Sequence, residues 1–96
     1  MRDFIFLMHG DANEDVAQDW DSYLAKLKAA GRFEGGSGVG GGACYRKSGA
    51  VPPVTDHVTG YIRVTARDLD DAAGLLEGNP VYEAGGTVEI RGLPKG

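Results

Sequence analysis

The sequence is poor in cysteine, and this excludes one class of protein. Cys44 is the single cysteine among 96 residues, so no internal disulfide can form. Small secreted domains are commonly held together by several disulfides, whereas a reducing compartment leaves cysteines unpaired. We therefore expect a cytoplasmic protein outside the disulfide-rich secreted class.

Long apolar runs and basic clusters are also missing. The run from Phe4 to Met8 has five apolar residues, whereas a signal peptide needs ~7–15 and a membrane-spanning helix about 20. Ten basic and fourteen acidic side chains give a formal net charge of −4, and the basic residues are scattered along the chain. Binding to a phosphate backbone needs a basic surface. We expect neither a membrane nor a nucleic acid as a partner.

The short length limits the chain to one small domain. Domains typically contain about 100–150 residues, so we expect a single domain over residues 1–96. A domain of this size buries roughly 60–65% of the surface that its unfolded chain exposes. A second subunit would add to this small core, and we expect the chain to associate with itself.

The N-terminal third predicts a strand followed by a helix. Residues 4–9 place apolar side chains on both parities, as in a strand covered on both faces. Asp11 or Asn13 can cap the helix that follows, and Glu14 and Asp15 suit its positive end. The apolar stripe of this helix recurs at three- and four-residue steps and ends at Gly31: Val16, Trp20, Tyr23, Leu24 and Leu27.

The middle of the chain is rich in glycine. Seven glycines fall within residues 31–42. We interpret Phe33, Val39 and Cys44–Tyr45 as fragments of two strands joined by a hairpin, in which glycines permit bulges or a close approach of backbones. Ala50–Pro53 predicts an extended loop, because each proline disfavours helix at the residue before it.

The C-terminal third predicts a strand, a helix and a last strand. Tyr61–Thr65 alternates in polarity, as a strand does. Asp68 begins a second helix, which stops at Gly78, Asn79 and Pro80. One face of this helix carries Leu69, Ala72, Ala73 and Leu76. Thr87–Arg91 predicts the last strand, with Val88 and Ile90 on one side and Glu89 and Arg91 on the other.

The order of elements, β-α-β-β-α-β, is that of the ferredoxin-like α+β fold, an antiparallel sheet with both helices on one face. The opposite face carries polar or amphipathic side chains at Tyr61, Arg63, Glu89 and Arg91. A mixed face of this kind suits a partner sheet that encloses a partly polar cavity. Two sheets facing each other would form a dimeric α+β barrel and provide additional core.

Two histidines and one aspartate are the candidate catalytic residues. His9 lies where the first strand ends, and an imidazole suits proton transfer at neutral pH. Sequence neighbours in an extended strand point apart, so Asp56 is better placed to orient His9 than His57. The alternatives are a structural His9 bonded to backbone or water and an Asp56 that caps its own turn.

Other motifs carry less chemistry. Residues 36–41 match G-x-G-x-x-G in letters, but they run into a predicted strand instead of a helix, so no dinucleotide is expected. His9, Cys44 and His57 lack the paired spacing of zinc ligands. We expect Cys44 to act as a small buried apolar residue and not as a nucleophile. We expect no metal and no cofactor. Arg63 and Arg91 can contact an anionic molecule, with an ion pair to Glu89 or plain exposure as the alternatives.

The C-terminal third also carries a fairly specific pattern. Gly60–Tyr61 opens a strand, residues 66–72 read Ala-Arg-Asp-Leu-Asp-Asp-Ala, and residues 79–91 read Asn-Pro-Val-Tyr-Glu-Ala-Gly-Gly-Thr-Val-Glu-Ile-Arg. Residues 4–10 and 30–33 add a first strand and a helix exit. On these segments, which span nearly the full chain, the sequence resembles the YCII-related family and in particular its DGPF branch.

The resemblance implies a dimeric α+β barrel, here a bacterial cytoplasmic homodimer, with a cleft in which a histidine and an aspartate form an acid/base pair. Some relatives act on small aromatic substrates, one of them as a dehydrochlorinase, and some DGPF proteins accompany sigma factors. On this sequence the resemblance assigns catalysis to His9, Asp56 and His57. Tyr61 and Arg63 would then contact a small anionic or aromatic molecule.

One loop departs from the family pattern. Where the branch carries Thr-Asp-Gly-Pro-Phe, this chain reads Thr-Asp-His-Val-Thr at residues 55–59, and several loop residues are missing. The first helix has no histidine, which the founding YCII proteins place there, so His9 and His57 are the substitutes. Two functions stay open: an acid–base enzyme of the lyase or hydrolase type, and a non-enzymatic ligand-binding or protein-interaction module, for example with a sigma factor.

Overall fold

Four strands and three helices make up the regular structure of the part described by the computed structural model, residues 1–13 and 19–95. In chain order they are β1 (Arg2–His9), α1 (Trp20–Ala29), β2 (Phe33–Gly38), β3 (Val58–Ala66), α2 (Leu69–Gly74), α3 (Pro80–Glu83) and β4 (Val88–Leu93). None of the helices in this part of the chain is long and apolar enough to cross a membrane.

The strands form one antiparallel sheet in the order β2-β3-β1-β4. Strand β1 is therefore central, with β3 on one side and β4 on the other. Strand β2 follows α1 in the chain and pairs with β3. The predicted ferredoxin-like α+β fold with its antiparallel sheet is confirmed.

The two faces of the sheet differ in burial. On one face, even-numbered residues from Phe4 to Met8 of β1 and from Ile62 to Ala66 of β3 are buried. They form the core with residues of the helices: Phe4, Phe6, Met8, Ile62, Val64 and Ala66 from the strands and Tyr23, Leu27, Ala72 and Val81 from the helices. On the other face the odd-numbered residues are half-buried or exposed. We call this second face the open face, and it carries Ile5, Leu7, His9, Tyr61, Arg63, Glu89 and Arg91.

Helix α1 (Trp20–Ala29) packs the predicted apolar stripe against the core along its described length. Tyr23 and Leu27 are buried, and Trp20 and Leu24 are half-buried against the core. The predicted stripe residue Val16 lies outside the described residues, as do the predicted first-turn residues Glu14 and Asp15.

The predicted caps of this helix have other partners. The residue before α1 is Asp19. The Asp11 carboxylate instead accepts hydrogen bonds from the backbone and hydroxyl of Thr87, at 2.8 and 2.7 Å. The backbone N–H of Asn13 donates to the carbonyl of Ala84 at 3.1 Å. Both residues tie the chain after β1 to the approach to β4.

The predicted hairpin strand at Cys44–Tyr45 is wrong. Strand β2 ends at Gly38, β3 begins at Val58, and the residues between them form a long loop. Tyr45 is 92% exposed, and Cys44 is half-buried, with its thiol 3.6 Å from the Pro53 carbonyl oxygen. The glycines of the G-x-G-x-x-G match lie in β2 and in this loop, so they do not open a helix.

The C-terminal helices differ partly from the prediction. The Asp68 carboxylate caps α2 by accepting a hydrogen bond from the Asp71 N–H at 2.8 Å. Leu69, expected on the packed face, is 56% exposed. Asn79 and Pro80 were expected to stop a helix but begin one: the Asn79 side chain accepts from the Tyr82 N–H at 3.1 Å, and Pro80 takes the first turn of α3.

Candidate functional site

The register of the sheet brings the predicted site residues of the open face into two rows. Leu7 lies opposite Tyr61 on β3 and opposite Glu89 on β4. Two residues earlier, Ile5 lies opposite Arg63 and Arg91. Cross-strand neighbours of this kind have Cβ atoms about 4.5–5.5 Å apart. Each row therefore places a β1 aliphatic side chain between polar side chains from the two flanking strands.

His9 ends β1 next to the first row. Its backbone N–H donates to the Thr87 carbonyl at 2.9 Å, and its ring atom Nε2 lies 3.0 Å from Oε1 of Glu89. The side chains are 21% and 35% exposed, so water reaches both. The hydrogen bond from His9, followed by that from Arg91, holds the pKa of Glu89 below its ordinary value.

This contact sets the chemistry of the imidazole. Glu89 is ionised at neutral pH, because its pKa is lowered, and an ionised carboxylate only accepts hydrogen bonds. The proton in the contact must then sit on Nε2 of His9. In the neutral ring Nδ1 is left as the unprotonated nitrogen, and Nδ1 is the atom that can take a proton from a bound molecule.

The ring of His57 lies beside that of His9, but Asp56 makes no hydrogen bond to the ring of His9 among the described residues. The two imidazole rings meet edge to face with centroids 4.8 Å apart, and the His57 carbonyl accepts a hydrogen bond from the Gly10 N–H at 2.8 Å. Asp56 is exposed. Among the described residues it is Glu89, not Asp56, that hydrogen-bonds to the ring of His9. Catalysis by Asp56 and His57 stays a prediction.

The loop after β1 is fastened to the start of β4. Both oxygens of Asp11 accept hydrogen bonds from Thr87. These bonds lower the pKa of Asp11, and the bond from the Thr87 hydroxyl contributes most. Thr87 lies two residues before Glu89 and accepts the backbone N–H of His9. The fastening therefore holds the two residues of the His9–Glu89 contact at one end of the sheet.

The predicted binding residues Tyr61 and Arg63 lie on the open face, where the strand pattern put them. Tyr61 is half-buried, and Arg63 is exposed and donates through Nη2 to the Glu34 carbonyl at 2.8 Å. Arg91 forms the ion pair with Glu89 that was one of its predicted alternatives: Nη1 of Arg91 lies 3.2 Å from Oε2 of Glu89. Contact of Tyr61 or Arg63 with a bound molecule stays a prediction.

Glu89 is the residue whose part in the site the sequence did not reveal. It was expected only as an ion-pair partner for an arginine. Its parity in the last strand was predicted, but its place beside His9 depends on β1 pairing with β4, residues 80 positions apart. The central position of β1 in the ferredoxin-like fold was the one signal that could have found it.

Metal binding has no support in residues 1–13 and 19–95. No group of three or more histidine, cysteine, aspartate or glutamate side chains there is arranged to hold a metal ion. The site described above offers one imidazole hydrogen-bonded to a carboxylate, a second imidazole beside it, and two arginines on the same face.

Comparison with known proteins gives a structural likeness. No family model matches the sequence, and no curated protein is similar to it. Among solved structures, the chain is similar to 5-chloro-2-hydroxyhydroquinone dehydrochlorinase from Burkholderia phenoliruptrix AC1100 in complex with 2,5-dihydroxybenzoquinone. The TM-score is 0.55, the identity is 18%, and the match covers 100% of this chain and 96% of the other. At this identity the likeness shows the fold.

Proposed function

We propose that this protein binds a small anionic or aromatic molecule on the open face of its sheet, and that His9 exchanges a proton with it. The observation that carries the proposal is the 3.0 Å contact between Nε2 of His9 and the Glu89 carboxylate. A carboxylate on one ring nitrogen fixes the tautomer, so the other nitrogen of His9 is the one that can accept a proton.

The surrounding residues suit such a molecule. Arg63 uses one of its five N–H groups on the Glu34 carbonyl, and its other N–H groups can meet an anion. Tyr61 and Leu7 are half-buried neighbours across the β1–β3 pair and offer apolar surface to a ring. His57 stands against His9 and would close one side of the site.

We further propose that two copies pair through their open faces and that the chain is a member of the YCII-related family in its DGPF branch. A sheet face alone is shallow, whereas a second sheet would enclose the bound molecule. The fold shared with the dehydrochlorinase supports both ideas, and the 2,5-dihydroxybenzoquinone named with that enzyme supports a ring with polar oxygens as the class of molecule.

The experiment is a titration with 2,5-dihydroxybenzoquinone followed by NMR of the histidine ring protons. We expect saturable shifts of the His9 and His57 resonances. His9→Phe and Arg63→Ala should each weaken binding by about tenfold or more, which corresponds to about 1.4 kcal/mol. Arg46→Ala is the matched control, because Arg46 is an exposed arginine of the 39–57 loop, and this variant should bind like the wild type.

Three outcomes are informative. Absent shifts, or equal affinity in His9→Phe and the wild type, would overturn the proposed site. Saturable binding by the wild type that takes up or releases no proton, measured by calorimetry in buffers of different ionisation enthalpy, would leave a binding module without proton transfer, the non-enzymatic alternative. Loss of binding in Arg46→Ala would move the site to the loop.

A further inference from the structure

A cavity of about 490 Å³ lies on the other side of the sheet from the open face, between strands β2 and β3 and the helices. Most of its wall is apolar and comes from both layers: Met8, Trp20, Leu24, Phe33, Ile62 and Val81. Ser37, Thr59 and Tyr61 also line it. Met8, Ile62 and Val81 are buried core residues, and Trp20, Leu24 and Phe33 are half-buried. The mouth of the cavity is thus formed by aromatic and aliphatic side chains.

Three glycines account for the empty space. Gly36, Gly38 and Gly60 line the cavity, and the register pairs Gly38 with Gly60 and Gly36 with the core residue Ile62. An added Cβ has open space at Gly38, where the nearest atom is the Thr59 carbonyl oxygen at 4.0 Å, whereas at Gly36 it would lie 2.5 Å from the Tyr61 carbonyl oxygen. With glycine at all three, this corner of the sheet has no side chains to fill the gap below α1.

The chemistry of the wall selects what can enter. None of the described residues that line the cavity carries a charge. At the rim, the Ser37 hydroxyl already donates to the Gly38 carbonyl at 2.8 Å. Apolar cavities hold water poorly, and one of ~150 Å³ is already large enough to bind benzene. Ligand pockets are commonly about 300–1,000 Å³ with mainly apolar walls.

We propose that this cavity binds an uncharged aromatic molecule of one or two rings. The cavity does not include His9, because the side chains of Met8 and His9 lie on opposite faces of the sheet. Among the described residues, Tyr61 is the one named for the proton-transfer site that also lines the cavity. This cavity site therefore goes beyond the function proposed above and can hold or fail independently of it.

The wall contains its own reporter. Trp20 is the single tryptophan of the chain, so intrinsic tryptophan fluorescence arises from the cavity wall. The probe is nitrobenzene, an uncharged aromatic that quenches tryptophan. We expect saturable static quenching of the wild type. Gly38→Leu should weaken binding by about tenfold or more, because the nearest atom to a Cβ at this position is the Thr59 carbonyl oxygen at 4.0 Å, which leaves room for the side chain to fill the cavity.

Matched variants separate the cavity from other effects. Gly40→Leu places the same side chain in the 39–57 loop, where nothing lies within 4 Å of a Cβ, and should keep wild-type affinity. His9→Phe should keep it as well. Circular dichroism checks the fold of each variant. Should Gly38→Leu unfold, Gly38→Val and NOEs from nitrobenzene protons to Trp20 and Leu24 in the wild type take its place.

Several results would overturn the proposal. These are quenching that rises linearly without saturation, equal affinity in Gly38→Leu and Gly40→Leu, or equally tight binding of benzoate, which would contradict an uncharged ligand. Loss of nitrobenzene binding in His9→Phe would also contradict a site separated from His9. Failure of the histidine titration alone would leave this cavity site standing.

Discussion

Asp71 connects helix α2 to the strands on both sides of it. Its Oδ2 accepts hydrogen bonds from the Arg67 backbone at 2.9 Å and from Nη1 of Arg32 at 3.1 Å. These bonds lower the pKa of Asp71 from an ordinary value of 3.8 to about 2. The backbone bond from Arg67 contributes most, and the bonds from the Arg32 and Arg67 side chains add to it. One carboxylate thus joins α2 to Arg32, just before β2, and to Arg67, just after β3.

We expect Asp71→Asn to lower the free energy of unfolding at pH 7. A carboxyl whose pKa is lowered on folding adds stability above its ordinary value of 3.8, and this part is lost as the pH falls through about 2. The difference between variant and wild type should therefore shrink from pH 5 to pH 2, as measured by urea unfolding at several pH values. Asp70→Asn, at an exposed neighbouring position, should unfold like the wild type, and an equal loss in both variants would contradict the assignment.

At the same scale, the sequence predicted the site in part. His9 at a strand end and Tyr61, Arg63, Glu89 and Arg91 on one sheet face follow from parity alone. The partner of His9 does not, because it depends on which strands pair and in which register. Asp56 was favoured because neighbouring side chains in a strand point apart, which directs it away from His57, whereas the antiparallel pairing of β1 and β4 brings Glu89 to the ring of His9.

Elements with local signals were predicted well, and those without were not. Strand β1 follows from a short apolar run, β4 from hydrophobic alternation, and the Asp68 cap from capping chemistry. The glycine-rich stretch carries no such pattern, so the strand expected at Cys44–Tyr45 was wrong. Asn79-Pro80 is ambiguous as a sequence signal, because such a pair can follow the end of one helix or start another: here asparagine caps α3 and proline takes its first turn.

Strand β2 owes its pairing to a glycine whose role is steric. A Cβ at Gly36 would lie 2.5 Å from the Tyr61 carbonyl oxygen and 3.1 Å from the Ile62 Cα, so the backbones of β2 and β3 would have to separate. We expect Gly36→Ala to destabilise the protein by about 1–3 kcal/mol, measured by urea unfolding.

Gly38→Ala in the same strand provides the comparison. The added methyl group would meet nothing closer than the Thr59 carbonyl oxygen at 4.0 Å. Gly36 and Gly38 both lie in β2, and both variants replace glycine by alanine. A loss of stability in Gly38→Ala as large as in Gly36→Ala would show that the close approach of the backbones at Gly36 is not the cause of the effect.

The whole molecule presents a face that a single copy leaves half covered. Ile5 and Leu7, in the central strand, are half-buried, although the same strand is fully buried on its other face. If two copies pair through these faces, light scattering should give a mass of twice 10.1 kDa. Leu7→Lys should reduce it to that of one chain, because pairing would then bury an added charge from each copy, which is costly.

Leu69→Lys is the control for this prediction. Leu69 is 56% exposed on α2, and its replacement introduces the same charge away from the open face. A monomeric wild type at micromolar concentration, or a dimer that Leu69→Lys disrupts and Leu7→Lys does not, would place the contact between copies elsewhere or remove it.

The 39–57 loop has a consequence for how this chain could change over evolutionary time. Its two ends are fixed beside each other by the Gly38–Gly60 pairing and by the Val39 N–H, which donates to the Thr59 carbonyl at 3.0 Å. Doubling the length of a loop with fixed ends costs only about 0.6 kcal/mol in closure entropy. Insertions and deletions here are therefore nearly neutral for folding. A lineage can lose or gain residues in this loop while the sheet and the residues at its far end stay in place.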